Sequence, residues 1–70
     1  MLKIQLGLRI AQLRRDKKLT QEELAEATEY SVEFISLVER GINGPSIEGL
    51  ERIADALEVK PKNLFEFTTS

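Results

Sequence analysis

The chain contains neither cysteine nor histidine. Without cysteine, no disulfide and no thiolate metal site can staple the fold. Without histidine, only carboxylates remain to hold a metal, and no acidic loop has the spacing of a calcium site. No cofactor and no metal are therefore expected. Nor is there an apolar run as long as a membrane span or a signal-peptide core, which leaves the cytoplasm as the expected compartment and no membrane partner. Catalytic machinery is missing too. There is no glycine-rich phosphate loop, and the abundant carboxylates have the pattern of helix surface, so an enzyme is not expected. What is present is 70 residues, 41% of them hydrophobic. That suffices for one compact core, near the small end of what folds unaided.

The formal net charge of −2 conceals a polarised chain. Residues 1–19 hold six basic side chains (Lys3, Arg9, Arg14, Arg15, Lys17, Lys18) against one acid, Asp16, a balance of +5. Residues 20–70 hold four basic against eleven acidic, a balance of −7. The average alone would argue weakly against nucleic acid, but the distribution leaves a basic end that could meet it.

Turn signals cut the chain into short pieces, none alternating with period two for long enough to make a sheet. The pattern predicts five short helices. The first, about 2–17, places Leu2, Leu6, Ile10 and Leu13 on one face, widened by Ile4, Leu8 and Ala11. The second follows Thr20-Gln-Glu-Glu23, which has the form of a capping box; Leu24, Ala25 and Thr28 face inward. The third runs from Ser31, an N-cap, to Gly41, a helix stop. Its Phe34, Val38, Ser31 and Ile35 fall within about 100° of one another and form the inner side. Val32, Ser36, Arg40, Glu33 and Leu37 share the outer side, and Glu39 lies at the boundary. Asn43-Gly-Pro45 is a turn with Ser46 as the next cap. A fourth helix, about 46–57, directs Ile47, Leu50, Ile53, Ala54 and Leu57 inward. Pro61 then suits the first position of a fifth helix of one or two turns, where Leu64 and Phe65 would close the core.

Two short helices, about 20–28 and 31–40, joined by some three residues, with the second polar outside and apolar inside, have the sequence form of a helix-turn-helix. Plain helical bundles contain such pairs as well. The wording is more specific. Leu13-Arg14, Leu19-Thr-Gln-Glu-Glu-Leu-Ala25, Ile35 to Gly41, Pro45-Ser46 and Ile53-Ala-Asp-Ala-Leu57 resemble the lambda-repressor/Cro-like family of bacterial and phage transcription regulators. The resemblance runs from about Leu6 to Phe65. In size the chain is similar to single-domain members such as restriction–modification controller proteins.

The resemblance implies an all-α, five-helix, lambda repressor-like domain spanning residues 1–70, its motif core at about 20–40. It implies sequence-specific binding of double-stranded DNA by a homodimer on a two-fold operator, in a bacterial or phage cytoplasm at the nucleoid. No effector domain is evident, so no small-molecule effector is expected. The candidate DNA-binding residues are Gln21, Ser31, Val32, Glu33, Ser36, Leu37, Arg40, Asn43 and Arg14. Gln21 matches a glutamine that contacts phosphate and supports the third helix. Val32, Glu33, Ser36 and Leu37 match positions facing base edges, while Arg40 and Asn43 fall where the helix end and loop meet the backbone. Arg14 and Glu39 match an ion pair that bridges the first and third helices. Val59, Phe65 and Phe67, apolar and near the end of a small domain, are the candidate dimer interface; closure of the monomer's own core is the alternative, favoured less for Phe67 than for Phe65.

The chain departs from the family's pattern in several places. Lys18 and Glu29 replace glycines common in the two turns, so either the turns are rebuilt or each left-handed residue costs roughly 1 kcal/mol. Ile42 stands where a basic residue is common. Val32, Glu33 and Leu37 replace the polar side chains often seen on the reading face. That apolar, acidic face keeps a second function open: a protein-binding adaptor or antitoxin-like module with weak or no DNA binding.

Overall fold

Three of the four α-helices begin where a side-chain oxygen takes up a free backbone N–H; the first, which follows Met1, has no such cap. In the computed structural model, which describes residues 1–67, the α-helices are α1 (Leu2–Asp16), α2 (Gln21–Thr28), α3 (Val32–Glu39) and α4 (Ile47–Leu57), followed by a 3₁₀ helix, Pro61–Phe65. The polar tail, residues 68–70, lies outside the described residues. Thr20 forms the reciprocal capping box: its hydroxyl accepts from the Glu23 N–H (3.0 Å) and its own N–H donates to Glu23 Oε1 (2.8 Å). Ser31 and Ser46 cap α3 and α4 in the same way, accepting from the Phe34 and Gly49 amides, each at 3.0 Å.

The described residues form four α-helices and no strand. The expected fifth α-helix is instead this 3₁₀ segment. Its residues bond three apart, with the Asn63 N–H on the Lys60 carbonyl (2.8 Å), while the Asn63 side chain accepts from the Lys60 N–H (2.9 Å). Five residues are too few to nucleate an α-helix alone, and a 3₁₀ turn suits so short a connector.

Leu6, Ile10, Ala11, Leu24, Ala25, Ile35, Val38, Ile53, Ala54, Leu57 and Leu64 form the core. α1 packs on α3 and the 3₁₀ helix, while α2 packs on α3 and α4. α1 and α3 meet at Gly7: a Cβ there would lie 2.7 Å from the Glu39 carbonyl oxygen, so only glycine allows the approach. The approach also turns α1 away from its expected orientation. The buried arc is centred between Ile10 and Gly7, and Leu8 lies about 130° from it. Leu2, Ile4 and Leu8, expected inside, are consequently exposed. Ile47, the first residue of α4, is likewise 78% exposed. Gly49, two residues on and about 200° round the helix, is covered by the Tyr30 ring.

All four α-helices end alike. The residues after the last turns adopt left-handed φ: Lys18 (64°), Glu29 (65°), Gly41 (77°) and Glu58 (59°). Each is followed by an amide bonding back five residues: Leu19 to Arg14 (3.0 Å), Tyr30 to Ala25 (3.1 Å), Ile42 to Leu37 (2.9 Å) and Val59 to Ala54 (3.0 Å). This is the Schellman ending, usually made with glycine. The turns at Lys18 and Glu29 are thus not rebuilt, and a third non-glycine residue, Glu58, joins them. Lys17 pairs with Glu58 across these ends; that hydrogen bond first, and the lysine's charge second, hold the Glu58 carboxyl below its ordinary range.

Candidate nucleic-acid interface

Glu39, one of the two acids of α3, does not face outward. It is buried at the inner edge of the helix and held from two sides. Arg14 donates Nε to Glu39 Oε2 (2.6 Å) and Nη2 to Oε1 (3.2 Å), a bidentate pair. Gln21 Nε2 donates to Oε1 at 2.9 Å. The third Arg14 nitrogen, Nη1, donates to the Leu19 carbonyl at 2.8 Å. α1, the first turn of α2 and the end of α3 therefore meet on one carboxylate. Such charge-assisted, planar pairing fixes orientation as well as charge.

This arrangement separates the candidate residues. Arg14 has every nitrogen engaged within the fold and holds a structural place. Gln21 supports α3 through Glu39, and one amide hydrogen and its carbonyl oxygen have no partner among the described residues. With Glu39 turned in, Glu33 is the single acid on the outer side of α3. Val32, Glu33 and Arg40 are exposed there, Ser36 and Leu37 half-exposed. Ser31, expected on the inner side, is an exposed cap. Asn43 is half-buried in the α3–α4 loop, its N–H on the Leu37 carbonyl (3.3 Å).

The family of "Helix-turn-helix domain" proteins matches residues 5–66. The chain belongs to that family. Control protein C.BamHI of Bacillus amyloliquefaciens is 36% identical over 69 residues, covering 97% of this chain and 85% of that protein. The transcriptional regulator SinR of Bacillus subtilis (strain 168) is 34% identical over 62 residues, 87% of this chain and 56% of its own length. The crystal structure of the restriction–modification controller protein C.AhdI from Aeromonas hydrophila superposes with a TM-score of 0.87 at 34% identity, covering 89% of this chain and 94% of that one.

Within this helix-turn-helix, the link between α2 and α3 is Glu29-Tyr30-Ser31. Tyr30 stacks on Phe34 with ring centroids 4.6 Å apart, which ties the link to the inner side of α3. The following loop rests on the start of α1. Gly41 approaches Ile4 so closely that a Cβ would lie 2.8 Å from the Ile4 Cα, and the Lys3 Cγ and Cδ lie 3.5 Å from the position of a Gly44 Cβ. Ile42 on this loop is 49% exposed. Sequence reasoning missed Gly7 and the approach of Lys3. A glycine inside the inward stripe of a helix was the available signal for the first; the second is a contact between distant residues and left none.

Away from α3, Phe65 and Phe67 meet edge to face, centroids 6.3 Å apart. Phe67 and Val59 are partly buried against the core, while Phe65 is 41% exposed. The structure thus reverses the two rings: Phe65, expected to close the core, is the more open. Phe67 also lines a groove of about 240 Å³ with Gln5, Leu8, Arg9 and Gln12.

Proposed function

We propose that this chain is a sequence-specific transcription regulator that binds duplex DNA as a cytoplasmic homodimer, with α3 in the major groove. The observation that carries this reading is the inward neutralisation of Glu39, which leaves an outer face on α3 with one acid, one arginine and small or apolar side chains. The family and the printed roles of the relatives support the same reading. Gln21, Arg40 and Asn43 then meet phosphates and set the register. Val32 and Leu37 suit thymine methyl groups. Glu33, an acceptor only when ionised, takes cytosine N4 as its major-groove partner and repels guanine's two acceptors. Its charge raises the penalty at wrong sites more than it helps at right ones, so the reading favours specificity over affinity.

The test is selection of bound sequences from a random duplex library with the parent protein and with Glu33→Gln. The variant is expected to shift one position per half-site from cytosine towards adenine, by about 1–3 kcal/mol, and to strengthen non-specific binding. An unchanged consensus at every position would remove Glu33 from the reading face. The exposed Val32 and Ile42 favour the second reading, a protein-binding adaptor; it predicts no binding to random duplex even at low salt.

A further inference from the structure

The helix-turn-helix and its following loop, residues 20–46, carry one basic residue, Arg40, against six acidic ones. Arg14 is committed to Glu39 and the Leu19 carbonyl. Ile42 puts a hydrocarbon at the loop position where a cation would help. A duplex is a dense line of phosphates, and a protein that grips it needs positive charge beside its reading helix.

The fold supplies that charge from the opposite end of the motif's sequence neighbourhood. Because Gly41 lets the first turn of α1 lie against the loop, the aliphatic stem of Lys3 runs alongside Gly44, next to Asn43. The ammonium lies only two bonds beyond the Cδ that makes this approach. Lys3 is exposed and forms no ion pair among the described residues. A lysine that lays its stem along a surface keeps its charged head in solvent, available to a ligand.

We infer that Lys3 is a DNA-phosphate contact, acting with Asn43 from across the α1–loop junction and supplying in space the charge that Ile42 withholds in sequence. This rests on the DNA-binding reading above. Such a contact carries no base information. It changes affinity uniformly over sequences and appears in the salt dependence.

The experiment titrates the whole protein with a pool of random-sequence duplex DNA over a range of salt concentrations. Parent, Lys3→Gln and Lys62→Gln are compared, each first shown by thermal melting to be folded. Lys62 is an exposed lysine of the 3₁₀ helix and takes no part in the loop. One phosphate contact contributes about 0.9 to the slope of log K against log salt. Lys3→Gln should reduce the slope by about that amount, and Lys62→Gln should leave it unchanged. A parental slope in Lys3→Gln overturns the contact, as does an equal fall in both variants, which would mean diffuse charge. A parent that binds no duplex at low salt overturns the DNA reading itself, and the Lys3 assignment with it.

Discussion

Glu39 is the residue on which most depends. A carboxylate that is nearly buried persists only because Arg14 and Gln21 surround it. Removing one member of such a pair strands the other charge, at a cost of about 3–5 kcal/mol. A domain of this size has a total stability of only about 5–15 kcal/mol. Glu39→Ala is therefore expected to lower the melting temperature by on the order of 10 °C or more. A melt that superposes on the parent's would mean that the pair contributes nothing. At this scale the sequence was partly legible. Thr20, Ser31 and Ser46 announced their caps through local chemistry, and the Arg14–Glu39 pair followed from the family's wording. Leu8 faces out because the close contact at Gly7 sets which way α1 turns, and Ile47 lies at the exposed start of α4; the spacing of apolar residues encodes neither.

Helix endings repeat a single backbone device, and at three of the four a lysine or glutamate stands in place of glycine. A left-handed residue bearing a Cβ costs roughly 1–2 kcal/mol, while glycine's greater freedom in the unfolded chain takes back about 0.4–1. Glu29 makes a clean subject, since Lys18 and Glu58 lie near the charged contact of Lys17. Glu29→Gly should raise the denaturant midpoint, by a stabilisation of about 0.5 kcal/mol with an unchanged slope. A lowered midpoint would show that the Glu29 side chain contributes more than its strain costs. Helix starts are more legible from residue types than the length of the last element. Pro61 opens the last element and Leu64 is buried as expected, yet its five residues, held by Asn63, make a 3₁₀ turn. Gly7, which decides how closely α1 and α3 approach, leaves one sequence signal, a glycine within an inward helical stripe, and that does not say which helix comes close.

For the whole molecule, one reading helix covers too few base pairs to define a useful site, so a dimer is expected with its two α3 helices about 34 Å apart. Phe65, the open ring, and Phe67, at the edge of the groove with Leu8, give the monomer an apolar end to pair. Sedimentation at micromolar concentration should show a dimer, and Phe67→Ser should weaken it. A species of monomer mass throughout that range, with the variant behaving identically, would rule this interface out. The charge division of the sequence was legible from counting alone. Its use was not: Lys3 reaches the α3–α4 loop only because Gly41 gives way to Ile4, a relation between residues about forty positions apart.

The carboxylate shared by α1, α2 and α3 also fixes what could be transplanted. Residues 20–40 look like a portable cassette, yet grafted alone onto another scaffold they would carry Glu39 inward without Arg14. The host would have to supply another cation or open the acid to water, and either changes the contact that holds α3. The smallest transferable piece therefore begins with the first helix, and swapping reading helices among relatives should succeed only between recipients that already own the arginine.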